Sequence, residues 1–410
     1  MIQQPAPFAP SVAHRLWRTI PPNVRRRGLA RATAWLAPHP DRQPPACQHG
    51  IAIGGELSRA SGLGEGARLM AQAARRLGLP VWTVDIAPPV DATTEVAVPA
   101  CAPPPPEAPL VLHVNGPLLP LALLRLPRAL LRGRRVIGYW AWELPEVPPE
   151  WRAGLDFVHE IWVPSHFTAA ALEPLMPGRV RVVPPPLAAE PPVPACLDRS
   201  AFGLPDDAVV VLVSFNLASS FARKNPLAAI AAFRAAFGDR PDRILVMKVS
   251  HADHAPEDFA RLVEAARAPN IRLETRLMPP ADRHALTAAA DIVLSLHRSE
   301  GFGLVPAEAM LLGRPVIATG WSGNLAYMNR DNAALVGYRL VPTEDSRRVY
   351  HDSHWADPNQ SEAVMHLRRL ADDATVRQAL GAQGREATRR CLGASPLSAA
   401  IRGIGLALPH

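Results

Sequence analysis

Forty-six prolines in 410 residues decide where this chain can and cannot be regular. Many are clustered, at Pro88-Pro89, Pro103 to Pro106, Pro148-Pro149, Pro184 to Pro186 and Pro191-Pro192. A proline ring removes an N–H and clashes with the turn before it, so none of these clusters can lie inside a helix. Short apolar runs stand between them. Gly50 to Ile53 and Val81 to Val84 read as strands bracketing a helix from Glu65 to Leu77, and Leu110 to Val114, Arg135 to Tyr139 and Glu160 to Val163 follow as strands. Beyond the proline-dense stretch Pro184 to Pro194, Val209 to Val213, Arg243 to Met247, Ile271 to Leu273, Ile292 to Leu296 and Val316 to Ala318 alternate with helical segments such as Pro226 to Phe237 and Glu257 to Ala266. Strand-helix alternation on both sides of a linker predicts two α/β layer systems with a cleft between them.

Composition supports a globular chain: 48% of residues are hydrophobic and 20% charged, enough to bury two cores. Cys47, Cys101, Cys196 and Cys391 are scattered without a C-x-x-C pair, which points away from zinc and from a disulfide framework and suits a reducing cytoplasm. No apolar run is long enough to span a bilayer, and Met1 to Pro10 lacks the pattern of a signal peptide, so a cytoplasmic enzyme is expected. The net charge is +7, but the arginines are dispersed and not interleaved with aromatics as in a nucleic-acid reader. The dense exception is His14 to Trp35, where Arg15, Arg18, Arg25, Arg26, Arg27 and Arg31 accompany Trp17, Leu29 and Trp35. That mixture suits peripheral contact with an anionic bilayer, or a basic segment packed on the first domain, with Pro21 and Pro22 barring one long amphipathic helix.

The chemistry concentrates in Arg298-Ser299-Glu300-Gly301-Phe302-Gly303-Leu304-Val305-Pro306-Ala307-Glu308. It reads as a loop leaving a strand and entering a helix, with Glu300 beyond the carboxyl end of the strand and Glu308 about a turn inside the helix. Gly301 and Gly303 let the backbone approach a ligand, and the opening N–H groups near Leu304 and Val305 suit an anion such as a diphosphate. Arg223 and Lys224 sit beyond another strand and before another helix, on the same rim as Glu300. Cations disfavour a helix start unless an anion is near, which again points to phosphate.

The S-E-G-F-G-L start and the Glu300–Glu308 spacing resemble the E-x7-E signature of retaining glycosyltransferases of family 4. The resemblance continues to Asn324 and implies the GT-B architecture, two Rossmann-like doubly wound domains facing a central cleft. It implies an acceptor-binding domain at 1–190, a nucleotide-sugar-binding domain at 191–395 and a C-terminal helix at 396–410 that crosses back to the first. By resemblance Lys224, with Arg223, stabilises the diphosphate, Glu300 steadies the sugar and Glu308 holds the nucleotide ribose. Relatives place a Gly-Arg pair straight after the strand, where this chain has Ser214-Phe215-Asn216, so Arg223 stands in and Asn216 joins the donor rim. Ser322-Gly323-Asn324 resembles the family loop near the sugar or diphosphate.

In the first domain Gly54, Gly55 and Gly64 lie between a strand and a helix, where a backbone can approach donor phosphate or acceptor. Asp85 raises a dinucleotide-binding alternative, but the glycine spacing is G-x-G-x-G and the cluster stands too far from the strand for that tight turn. His113 ends a strand at the same rim and resembles the family histidine that contacts the donor sugar; a structural role is the alternative. Trp140 and Trp142 suit stacking on a sugar or core packing, and Glu143 or Asp156 suits contact with an acceptor hydroxyl or the role of an ordinary surface acid.

The expectation is therefore a metal-independent retaining hexosyltransferase, with no cofactor, acting in polysaccharide biosynthesis. Its donor is a GDP- or UDP-type sugar, with mannose or glucose favoured, and its acceptor is a glycan or a lipid-linked saccharide. A binding protein without turnover and a GT-B epimerase are the alternatives; the first predicts donor affinity without product, the second product without acceptor.

Overall fold

The computed structural model describes residues 28, 31–59, 61–86, 96–99, 101–345 and 349–409. Pro88-Pro89 and most of the basic segment, Arg15, Trp17, Arg18, Arg25, Arg26, Arg27 and Leu29 included, lie outside the described residues.

The first unit runs β1 (Ile51–Gly55), α1 (Gly62–Arg76), β2 (Val81–Asp85), β3 (Leu110–His113), α2 (Leu119–Leu124), β4 (Val136–Tyr139), β5 (Glu160–Val163), α3 (His166–Leu172) and β6 (Val180–Val182). Its six strands are parallel in the order β2-β1-β3-β4-β5-β6. Every residue of β1, β3, β4 and β5 is buried, because layers cover both faces of the sheet; that explains why these strands are continuous apolar runs and do not alternate. Ile51, Ile53, Met70 and Ala74 pack on one face, Leu110, Leu112, Trp140 and Phe157 on the other.

The second unit runs β7 (Val209–Asn216), α4 (Phe221–Lys224), α5 (Pro226–Phe237), β8 (Arg243–Ser250), α6 (Pro256–Ala265), β9 (Ile271–Glu274), α7 (Pro280–Ala289), β10 (Ile292–Ser295), α8 (Leu304–Leu311), β11 (Val316–Thr319) and β12 (Ala334–Val336). These six strands, also parallel, are ordered β12-β11-β10-β7-β8-β9. The chain winds one way from β7 to β9 and the other way from β10 to β12. Its reversal lies between β7 and β10, where a doubly wound sheet leaves a crevice at the carboxyl ends. An antiparallel hairpin of β13 (Tyr338–Pro342) and β14 (His354–Pro358) follows, then α9 (Gln360–Asp372), α10 (Ala374–Cys391) and α11 (Ser395–Gly403). From α11, Leu397, Ala400 and Ile401 are buried against the Ile51–Met70 cluster of the first unit.

Two local expectations need correction, and four short strands lie outside the sequence reading. Gly54 and Gly55 are not a loop but the last residues of β1, since a central strand hydrogen-bonded on both sides holds glycine in extended form. β7 does not stop at Val213; it pairs with β8 as far as Asn216. Edge strands β6 and β12, three residues each, and the β13–β14 hairpin carry too few apolar residues for a period to show.

Candidate active site

Because β7 and β10 flank the reversal of strand order, the loops leaving their carboxyl ends are stitched together. After β7, Ser220 caps α4, its Oγ accepting the Arg223 N–H at 3.2 Å. Asn225 ends α4 in the left-handed region at φ 54°, and its side-chain amide donates to the Leu296 carbonyl at 3.0 Å. The Arg298 N–H donates to the Arg223 carbonyl at 2.8 Å, and the Arg223 guanidinium donates to the Ser299 carbonyl at 2.8 Å. Arg223 and Lys224 thus close the short helix α4 directly ahead of α5, and are carried under the Glu300 loop.

There the charges meet. Glu300 Oε2 accepts from Arg223 at 3.0 Å and Oε1 from Lys224 at 2.5 Å. Glu300 is 7% exposed and Arg223 4%. Burial by itself would raise the Glu300 carboxyl; Lys224, Arg223 and His297 overturn that and hold it well below the usual carboxylate range. Burial lowers the Lys224 ammonium against the pull of Glu300. Both carboxylate oxygens are committed to cations, so Glu300 is a fixed negative charge and a poor nucleophile.

The loop beyond Glu300 is held by close backbone contacts. The Glu300 N–H donates to Ser322 Oγ at 2.8 Å and the Gly323 N–H to the Glu300 carbonyl at 2.8 Å. Gly303 sits at φ 89°, opening α8, and a Cβ there would meet the Tyr327 hydroxyl at 3.0 Å. The first-turn N–H groups at Leu304 and Val305 have no carbonyl of their own helix to bond and form an anion-favouring end. The first unit reaches across to this loop. Ser165 Oγ donates to the Gly301 carbonyl at 2.7 Å, Thr168 Oγ1 stands 3.4 Å from the same carbonyl, and Ser299 Oγ bonds the Glu143 carbonyl.

Glu308, on the second turn of α8, is buried with Arg283 at 3.5 Å and His284 at 3.6 Å. It lies in a cleft of about 260 Å³ between the units, lined also by Glu65, Leu69, Leu187 and Glu190. A larger hollow, of about 430 Å³, lies beside Arg199 and Arg314. These arginines are engaged by Asp291 and the carbonyls of Ala289 and Ala290, away from Glu300.

Across the cleft, Gly55 and His113 are register partners at the ends of β1 and β3, at the reversal of the first sheet. His113 is 1% exposed, stacks on Tyr139 at 4.2 Å and leaves both ring nitrogens without a partner. Burial pushes its pKa down to about 3, so it is neutral at physiological pH. Gly64 lies in the first turn of α1, its N–H donating to Ser61 Oγ at 3.0 Å; a Cβ would stand 2.4 Å from the Glu56 carbonyl oxygen.

Other candidates take packing roles. The Phe302 side chain is in the core, 5.0 Å from the Tyr327 ring, so this residue offers only its backbone. Asn216 Oδ1 accepts the Ala218 N–H at 2.8 Å and shapes its own turn. Asn324 is fully buried; its amide donates to the Thr319 carbonyl at 3.0 Å and its Oδ1 faces His297 Nε2 at 3.2 Å, ordering the site from behind. Trp140 and Trp142 pack edge-on against Trp151 and are buried, so they are core and not a sugar platform. Residues around Glu300 that the sequence did not single out are His297 and Tyr350. A run such as Ser295-Leu296-His297 carries no sign that its histidine turns inward.

A model described as family 4 glycosyltransferase in conflict systems matches residues 184–390. The D-inositol 3-phosphate glycosyltransferase of Xylanimonas cellulosilytica is 30% identical over 223 residues, covering 52% of this chain and 48% of that protein. The chain spans about half the length of the curated relatives it matches. Among solved structures, Anabaena HepE in complex with UDP and glucose aligns with a TM-score of 0.57 at 14% identity, over 87% of this chain and 99% of that one. Sucrose-phosphate synthase from Thermosynechococcus elongatus aligns with a TM-score of 0.58 at 16% identity, over 89% and 99%. These likenesses show the GT-B fold.

Proposed function

Since the chain belongs to glycosyltransferase family 4, we propose that it is a retaining glycosyltransferase that moves a hexose from a nucleotide-diphosphate sugar to a saccharide or lipid-linked glycan in polysaccharide biosynthesis. The observation that carries this reading is the buried cluster of Glu300, Arg223 and Lys224 beside the start of α8. Two cations and a helix N-terminus converge where a departing diphosphate needs charge stabilisation, and a carboxylate that stays ionised stands beside them to steady an oxocarbenium-like sugar. A structural neighbour solved with UDP and glucose supports the UDP form of the UDP- or GDP-type donor, and a relative named for D-inositol 3-phosphate supports a polar acceptor.

Glu308 holds the nucleotide ribose, the backbone from Gly301 to Val305 receives the diphosphate, and the neutral His113, with Gly55 and Gly66 beside it, faces the sugar from the other unit. With Glu300 tied to two cations, retention proceeds by front-face attack. The acceptor oxygen bonds to the anomeric carbon as the sugar–phosphate bond breaks, and the acceptor proton passes to a departing phosphate oxygen. Residues 1–190 serve the acceptor and 191–395 the donor, with 396–410 bracing the first. Exposed Trp35, Leu36, Leu118 and Leu124, the last beside Arg125 and Arg128, support a peripheral resting place on an anionic bilayer. Among the described residues no helix is long and apolar enough to cross one.

The test is a thermal-shift screen against UDP, GDP, ADP and their sugar conjugates, with the Lys224→Ala variant alongside. A base-selective rise lost in the variant is expected; no rise with any of them would falsify the donor reading.

A further inference from the structure

Of the first-unit acids close to the cleft, one touches the charge cluster. Glu143 follows the buried Trp142 and extends from the first unit under the Glu300 loop, where its Oε1 stands 3.7 Å from Arg223 Nη2. Its other oxygen accepts from the Tyr350 hydroxyl at 3.0 Å, and its backbone carbonyl is bonded by Ser299. Tyr350 also lies over Arg223, 5.6 Å from guanidinium carbon to ring centre. Four side chains of opposite formal charge therefore meet here, Arg223 and Lys224 against Glu300 and Glu143, with Arg223 and Glu300 buried and the other two partly exposed, and their formal charges cancel. An arriving diphosphate adds negative charge to cations that are already matched, so one carboxylate must give way. The two are held unequally. Glu300 is bonded on both oxygens at hydrogen-bond distance, with 10% of its side chain exposed; Glu143 contacts Arg223 beyond hydrogen-bond reach, with 20% exposed.

We propose that Glu143 is a positioning residue that competes with the donor's diphosphate for Arg223. It yields the guanidinium when the nucleotide sugar enters and reclaims it to expel the nucleoside diphosphate after transfer. Because Glu143 belongs to the first unit and Arg223 to the second, this exchange ties nucleotide release to the contact between the units. The inference rests on the proposal that Arg223 and Lys224 receive a diphosphate.

The test is calorimetric titration of the full chain with inorganic pyrophosphate, which needs no knowledge of the base, and with UDP and GDP. Glu143→Gln keeps the shape and an acceptor for Tyr350 while removing the charge. It is expected to bind these anions roughly five- to tenfold more tightly than the wild type. Glu143→Asp, which keeps the charge but draws it back, falls between them and serves if the Gln variant does not fold. Glu107→Gln, an exposed acid of the same unit ahead of the amino end of β3, controls for net charge and leaves affinity unchanged. Unchanged or weaker anion binding by Glu143→Gln and Glu143→Asp, with binding still lost in Lys224→Ala, overturns the role of Glu143 and leaves the donor reading standing. A wild-type chain that binds none of the three anions overturns both.

Discussion

Glu300 and Lys224 are separated by 2.5 Å, yet their substitutions should part in effect. Glu300→Gln keeps the hydrogen-bonding shape and removes the fixed charge. Transfer should fall by about 10²–10³-fold while the nucleoside diphosphate still binds, and wild-type-like transfer would remove Glu300 from the mechanism. Lys224→Ala should weaken nucleoside diphosphate binding by about tenfold or more, the loss of one charge-assisted contact; an unchanged dissociation constant in calorimetry would count against it. His113 sets a pH dependence. Burial pushes its folded pKa down to about 3, below the ordinary histidine value of about 6.5, so between those values the unfolded chain binds a proton that the folded chain refuses. Its contribution is neutral above pH 6.5 and increasingly unfavourable below, about 1.4 kcal/mol per pH unit. Urea midpoints should fall from pH 6.5 to pH 5, and His113→Asn should flatten part of that slope; an identical slope in the variant would show the histidine to be solvated.

At the scale of elements, the site depends on turns that approach each other too closely for side chains. A Cβ on Gly323 would stand 2.0 Å from the Gly301 carbonyl oxygen and 2.7 Å from that of Glu300. Gly323→Ala should therefore push the β11 loop off the Glu300 loop and reduce transfer about as severely as losing Glu300, with both sheets intact by circular dichroism. Normal activity would mean that the two loops are not coupled. The strand-loop-helix around Glu300 was legible because its pattern is local: an apolar strand, two glycines and a helix start. The partners of Glu300 were only half legible. Arg223 and Lys224 stand out as cations at a helix start, whereas Ser322 holds the Glu300 N–H from the far side of α8 and β11, a contact with no sequence period.

The whole molecule depends on contacts between the units. Ile401 on α11 is fully buried among residues of β1 and α1. Ile401→Ala should cost about 3 kcal/mol by the loss of buried methyls and the cavity left behind. Urea unfolding should show the loss in the transition that includes the first unit, and an unaffected midpoint would mean the tail is not docked. The link through Ser165 and the Gly301 carbonyl predicts that Ser165→Ala, which leaves a buried acceptor short of one donor, slows transfer more than it weakens nucleoside diphosphate binding. Equal loss of both would mean that Ser165 supports the fold of the site as a whole and not the transfer step.

Sequence alone determined the two α/β layer systems, the linker between them and the glycine loop with its two glutamates. Each is written in short-range order: apolar runs of strand length, prolines clustered where no helix interior can run, and glycines that leave a backbone free to turn and to be closely approached. Tertiary structure decided which candidates touch. The reversal of strand order brings Arg223 and Lys224 from one loop to Glu300 of another, and the apposition of the units adds Glu143 and Tyr350. The same packing put Trp140, Trp142, Phe302 and Asn324 into the core. Whether a tryptophan stacks on a sugar or on another tryptophan depends on what the fold sets opposite it, and that neighbour lies outside the reach of local pattern.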